Sequence, residues 1–115
     1  MLKLPGLERA HIGPEKIRDY LLSAEHPVGR FKAAWFSSGG YSRQHWDRLR
    51  RDLLAFSQLN EAIETERNDF GQKYEVRGHL VGPSGRTLSI VAIWIVVNNE
   101  DFPRLVTAFP GEEQQ

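Results

Sequence analysis

His26, Arg30 and Lys32 fall within one seven-residue segment, His26-Pro27-Val28-Gly29-Arg30-Phe31-Lys32. Arginine and lysine are the side chains that hold phosphate, and histidine is the one that moves a proton near neutral pH. The grouping therefore points to anion handling. His26 suits a general acid, a general base or a phosphate contact. The proline after it biases it out of helical geometry, so it equally suits a loop histidine or one that caps the next helix. Arg30 and Lys32, two apart, point to different sides of a helix and share a ligand only at its N-terminus, where unpaired amides favour an anion. Arg30 also fits a pair with Glu25 or with the C-terminal strand.

A second segment, Pro103-Arg104-Leu105-Val106-Thr107-Ala108-Phe109-Pro110, carries a further arginine and a hydroxyl. Thr107 reads either as a phosphate donor or as a packed residue bonded to backbone. An anion seated at the start of the His26 helix needs a cation from elsewhere to close around it, and Arg104 is the candidate. The expectation is that His26, Arg30 and Arg104 open onto one concavity. Lys73, Glu75, Arg77 and His79 fall on one face of a strand, as a groove lining or as a solvated sheet face.

Composition narrows the chemistry. The 115 residues contain no cysteine, which excludes disulfides, thiol catalysis and thiolate metal sites and fits a reducing cytoplasm. The four histidines, at 11, 26, 45 and 79, are scattered without metal-ligand spacing, so no metal or cofactor is expected. No apolar signal core follows Met1-Leu2-Lys3, and the longest apolar run, Ile90 to Val97, is eight residues, too short for a bilayer. A cytoplasmic single domain over residues 1–115 is expected. The net charge of zero hides an asymmetry: residues 1–58 hold ten Lys/Arg against six Asp/Glu, and residues 59–115 five against nine. A basic half steers anionic partners even in a neutral molecule.

The elements that must position these groups follow from periodicity. Residues 1–13 read as an extended lead-in. Ile17, Tyr20 and Leu21 predict a helix over 14–23, with Pro14 as its first residue. Gly29 to Ser38 predicts a second helix with Phe31, Ala34, Trp35 and Ser38 inward, stopped by Gly39-Gly40. Ser42 is a candidate N-cap for a third helix over 43–60, whose stripe is Trp46, Leu49, Leu53, Phe56 and Leu59. Strands follow: an edge strand at 62–67, an alternating one at 73–81 with Tyr74, Val76 and Leu80 inward, an apolar central one at 88–97 covered on both faces with Trp94 in the core, and a last one at 104–109. Residues 111–115 read as a frayed tail. The fold class is α+β: about three helices packed on a three- or four-stranded antiparallel meander.

The motifs Lys16-Ile17-x-x-Tyr20-Leu21-Leu22, His26-Pro27-x-Gly29-Arg30-x-Lys32, Gly82-Pro83-x-Gly85-Arg86 and Pro103-Arg104-Leu105-Val106-Thr107-Ala108-x-Pro110, with Trp46 and Trp94 between them, resemble an uncharacterised family of small bacterial domains over nearly the whole chain. More distantly, helices leading into a meander that closes on Arg-x-x-Thr-x-aromatic-Pro are similar to the barnase–EndoU–colicin–RelE group of ribonuclease toxins. That resemblance implies a metal-independent endoribonuclease of bacterial toxin type, in which the 2′-hydroxyl attacks the adjacent phosphate. It implies RNA as substrate, a cognate antitoxin or immunity protein as partner, and His26, Arg30, Lys32, Arg104 and Thr107 as the catalytic set. From a different class, the chain also reads as a non-enzymatic interaction module, in which His-Pro-x-Gly-Arg is architectural and a partner covers the open sheet face or an edge strand.

Overall fold

The fold is described from a computed structural model over residues 3–27 and 29–111. A short 3₁₀ turn, Leu7–Arg9, interrupts the lead-in, and three helices then precede four strands. Helix α1 (Pro14–Lys16) runs directly into a wide π-type turn, Ile17–Leu21. Helix α2 spans Gly29–Ser38, and α3 spans Trp46–Leu59 behind a 3₁₀ turn at Arg43–His45. The strands β1 (Ala62–Arg67), β2 (Gly71–Val81), β3 (Thr87–Val97) and β4 (Pro103–Pro110) form an antiparallel meander in the order β1-β2-β3-β4.

Register decides which face is core, because cross-strand partners point the same way. Tyr74 pairs with Trp94, Val76 with Ala92 and Leu80 with Leu88, and all six are buried. Helix α3 packs on this face through Leu49, Leu53 and Phe56, and its Ser57 Oγ accepts the Trp94 indole N–H at 3.0 Å. Trp94 is wholly enclosed, as its strand's apolarity implied.

The opposite face departs from expectation. Val91 is buried there, but Ile93, Ile95 and Val97 are only half-buried, so β3 is not covered on both sides throughout. Their neighbours in register are Lys73, Glu75, Arg77, Arg104 and Thr107, whose aliphatic parts border the β-branched row. An apolar run recorded a half-covered face as fully buried.

Other local readings also change. The helix expected over 14–23 holds one α-turn and then widens, with the Leu22 N–H on the Ile17 carbonyl at 2.9 Å. The widening keeps Ile17 and Leu21 buried and leaves Tyr20 half-buried on the side facing α2. Phe31 is 69% exposed and Leu59 76% exposed. In α2 the buried positions are Gly29, Ala33 and Phe36, a stripe offset from the expected one, with Ala34 and Ser38 outside it. Ser42 is extended and its side chain caps nothing. The chain there is fixed instead by buried Tyr41, whose hydroxyl donates to Asp52 Oδ2 at 2.6 Å. Gly40 does end α2, at φ 98°, and the Gly39 carbonyl accepts the Ser84 N–H of the β2–β3 turn at 3.0 Å. Of the expected tail, residues 112–115 lie outside the described residues.

Candidate functional site

Three elements meet at the start of α2. The lead-in first binds the outer edge of β4, His11 N–H to the Pro103 carbonyl at 2.8 Å and Leu105 N–H to the His11 carbonyl at 3.1 Å. This tethers α1 and its wide turn beside β4. Helix α2 then docks on that turn through Gly29. A Cβ at position 29 would fall 2.0 Å from the Tyr20 carbonyl oxygen, so only glycine permits this approach. The glycine of the His-Pro-x-Gly-Arg segment is thus a packing residue that sets how close α2 comes to Tyr20.

That approach assembles the site. Lys32 Nζ donates to the Tyr20 phenol oxygen at 2.6 Å and to Thr107 Oγ1 at 2.8 Å. The same ammonium lies 4.8 Å from the Tyr20 ring centroid, and Lys16 Nζ lies 5.5 Å from it. His26 meets the Tyr20 ring edge-on, with centroids 4.9 Å apart. Lys16, Tyr20, His26, Lys32 and Thr107 are all half-buried, desolvated enough to strengthen their interactions yet open to a solute. In β4 the ladder shifts between Ile93 and Trp94, which places a bulge directly before Thr107. Bulges of this kind re-aim neighbouring side chains and recur next to active sites.

The two phenols of the helical layer respond oppositely to their surroundings. Burial pushes the Tyr20 phenol up, but the hydrogen bonds from Lys32 and Thr107 and the charges of Lys32 and Lys16 outweigh it, leaving the phenol below its ordinary value of 10.0. Burial and Asp52 both push Tyr41 above the same value. A phenol that gives up its proton more readily marks the Tyr20 cluster as the chemically unusual one.

His26 has a defined orientation. Its Nδ1 accepts the Gly29 N–H at 3.0 Å, and its carbonyl accepts the Arg30 N–H at 3.0 Å. The histidine therefore caps α2, the architectural alternative for this residue. An Nδ1 that accepts carries no proton, so the neutral imidazole holds its hydrogen at Nε2 and presents a donor there. The Gly29 and Arg30 amides, expected to cradle an anion, are engaged by His26 itself.

The remaining sequence candidates are engaged with other partners. The Arg30 guanidinium lies 4.8 Å over the Phe31 ring at the surface of α2. Arg104 makes a two-pronged bond to Glu100, 2.8 Å on each side, and lies 4.9 Å over the Phe102 ring. That pairing holds Glu100 below the ordinary carboxylate range. On β2, Arg77 pairs with Glu75 at 2.8 and 3.1 Å. Of the five expected site residues the contacts thus join His26, Lys32 and Thr107 around Tyr20. They engage Arg30 and Arg104 with other partners.

Tyr20 and Lys16 are the residues that sequence reading passed over. Tyr20 stood at helical spacing between Ile17 and Leu21 and read as part of an apolar stripe. The available signal was Lys16-x-x-x-Tyr20, one turn apart, which sets a cation over a ring on one helix face.

The family model described as "Domain of unknown function (DUF6883)" matches residues 3–112. No curated protein matches the chain in sequence. Among solved structures, one chain of a "Contact-dependent growth inhibition toxin - immunity protein complex from Klebsiella pneumoniae 342" superposes with a TM-score of 0.69 at 14% identity, over 93% of this chain and 97% of that one. At that identity the likeness is one of fold. The family match covers helices, sheet and site together, and the chain belongs to the DUF6883 family.

Proposed function

We propose that this domain is a toxin-type endoribonuclease that cleaves RNA without metal, by attack of the 2′-hydroxyl on the adjacent phosphate. The observation that carries the reading is the convergence of Lys32, Thr107, Tyr20 and His26 from α2, β4, the wide turn and the connecting loop into one half-buried cluster. Such a reaction needs charge stabilisation on the phosphoryl oxygens and proton transfer at the attacking and leaving oxygens. Lys32, two of whose N–H groups hold Tyr20 and Thr107, turns its third toward the reacting phosphate, Thr107 positions both of these side chains, and His26, edge-on to Tyr20, borders the same phosphate. Arg30, exposed two residues before Lys32, contacts a flanking phosphate. Arg104 reaches the strand only by releasing Glu100. The fold shared with a chain of a growth-inhibition toxin–immunity complex supports the reading and suggests an immunity or antitoxin protein as partner.

A second reading, the non-enzymatic interaction module, is favoured by the β1 border. Ile63 to Arg67 are exposed along this sheet edge, and Leu59 and Phe70, before and after the strand, are exposed apolar residues.

Expression in a bacterium separates the two. The wild-type chain should arrest growth, and Lys32→Met, Thr107→Val and His26→Ala should each relieve the arrest while leaving folded protein. Harmless accumulation of folded wild-type protein would favour the interaction module.

A further inference from the structure

Cleavage through the 2′-hydroxyl requires a base, and the geometry removes the obvious one. His26 spends its Nδ1 lone pair on the Gly29 amide, so in this tautomer its Nε2 bears the hydrogen and is a donor. Lysine ammonium has three donors and no acceptor. What remains in the cluster is the Tyr20 oxygen, and every group around it donates. Lys32 Nζ reaches it at 2.6 Å, and the Thr107 hydroxyl, which already accepts from Lys32, turns its own hydrogen toward the same oxygen. Lys16 adds a second positive charge over the ring. Among the described residues no hydrogen bond receives the proton of a neutral Tyr20 phenol. A phenolate satisfies each donor.

We infer that Tyr20, acting in its phenolate form between Lys32 and Thr107, is the base that takes the 2′-hydroxyl proton of the RNA. The inference rests on the ribonuclease reading and assigns the group that reading leaves open. In the step, the 2′-O–H bond breaks and its proton passes to the Tyr20 oxygen while the 2′-oxygen bonds to phosphorus. The P–O5′ bond breaks, its electron pair stays on O5′, and that oxygen takes a proton from the Lys32 ammonium. The products are a 2′,3′-cyclic phosphate and a 5′-hydroxyl. Tyr20, now neutral, returns its proton to the neutral Lys32 amine across their 2.6 Å contact, restoring both groups. The charged and titratable groups facing Tyr20 are Lys16 from α1, His26 from the loop, and Lys32 from α2, and Thr107 faces it from β4.

The test uses the full chain with ¹³Cζ-labelled tyrosine, alongside cleavage of a short RNA in chelator. The Tyr20 phenol should titrate below its ordinary value, and Lys32→Met should move that midpoint upward. Tyr20→Phe, which keeps the ring against His26, should lower cleavage about 100-fold or more at unchanged fold, the range expected for loss of a general base. A fluorotyrosine at position 20 should move the acidic limb of the pH–rate profile to lower pH. If Tyr20→Phe cleaves at the wild-type rate, or the limb stays in place with fluorotyrosine, Tyr20 is not the base although the domain remains a ribonuclease. If wild-type protein leaves the RNA intact, the ribonuclease reading falls and this assignment falls with it, whatever the phenol titration shows.

Discussion

Glycine 29 shows how one residue carries both packing and chemistry. It gives its N–H to His26 Nδ1, and its missing side chain lets α2 sit on the Tyr20 carbonyl. Gly29→Ala should force the helix start away from the wide turn. A destabilisation of about 1–3 kcal/mol is expected, as for other overpacked sites, measured as a lower urea midpoint, with loss of the activity that depends on the Lys32–Tyr20 contact. The motif was visible in the sequence as a cationic cluster, but its glycine read only as the start of a helix, because the partner that needs the space lies nine residues earlier in a turn of unusual width. Tyr41 gives a residue-scale test of a different kind. Its phenol, buried and bonded to Asp52, is held above its ordinary value of 10.0, so the protonated form is the one that folding stabilises. That contribution is complete below the unfolded value and is lost as pH rises through the folded one. Tyr41→Phe should therefore flatten the fall of Tm with pH above about 10, the point where an ordinary phenol ionises.

At the scale of elements, the strands were the most legible part. Alternation of Tyr74, Val76 and Leu80 set the inward face of β2, and the β-branched run around Trp94 marked the strand beside it. Two-residue periodicity needs only the local chain, and it survives wherever one face meets a helix layer. The helices were harder. Ile17, Tyr20 and Leu21 fit an α-helix and a π-type turn equally, since both bury i and i+4. The stripe of α2 was misplaced because Phe31 is the bulkiest apolar side chain near its start, yet the helix is rotated by the glycine contact. The buried hydroxyl of Ser57 was absent from the expected stripe altogether, because its reason for burial is the Trp94 indole, thirty-seven residues away. Ser57→Ala should cost about 1–3 kcal/mol by leaving the indole N–H unpaired in the core. Trp94→Ala should cost about 3–5 kcal/mol as a large-to-small core change. Both are read from denaturant unfolding, and equal effects for the two variants would show that the indole's packing contributes little.

For the whole molecule, the meander fixes where chemistry is available. The lead-in tethers the α1 turn to the β4 edge, α2 lies across that junction, and the cations of the basic N-terminal half converge on a hydroxyl supplied by the acidic C-terminal half. The sequence could show that such groups existed, and it named His26, Lys32 and Thr107 among them. Their meeting point was hidden, because it depends on a β-bulge and a helix approach that arise only when strands 75 residues from α2 are in place. Arg104 illustrates the converse: its position in the strand suggested a phosphate contact, and Glu100, four residues earlier in the turn, engages it instead.

The central claim is that the Lys32–Tyr20–Thr107 cluster cleaves RNA, and the termini of the products test it most directly. A defined RNA incubated with the chain in chelator should yield 2′,3′-cyclic phosphate and 5′-hydroxyl ends. Lys32→Met, shown to be folded by its NMR spectrum, should yield neither. Intact RNA after incubation with wild-type protein, or the same ends from the Lys32→Met variant, would contradict the account.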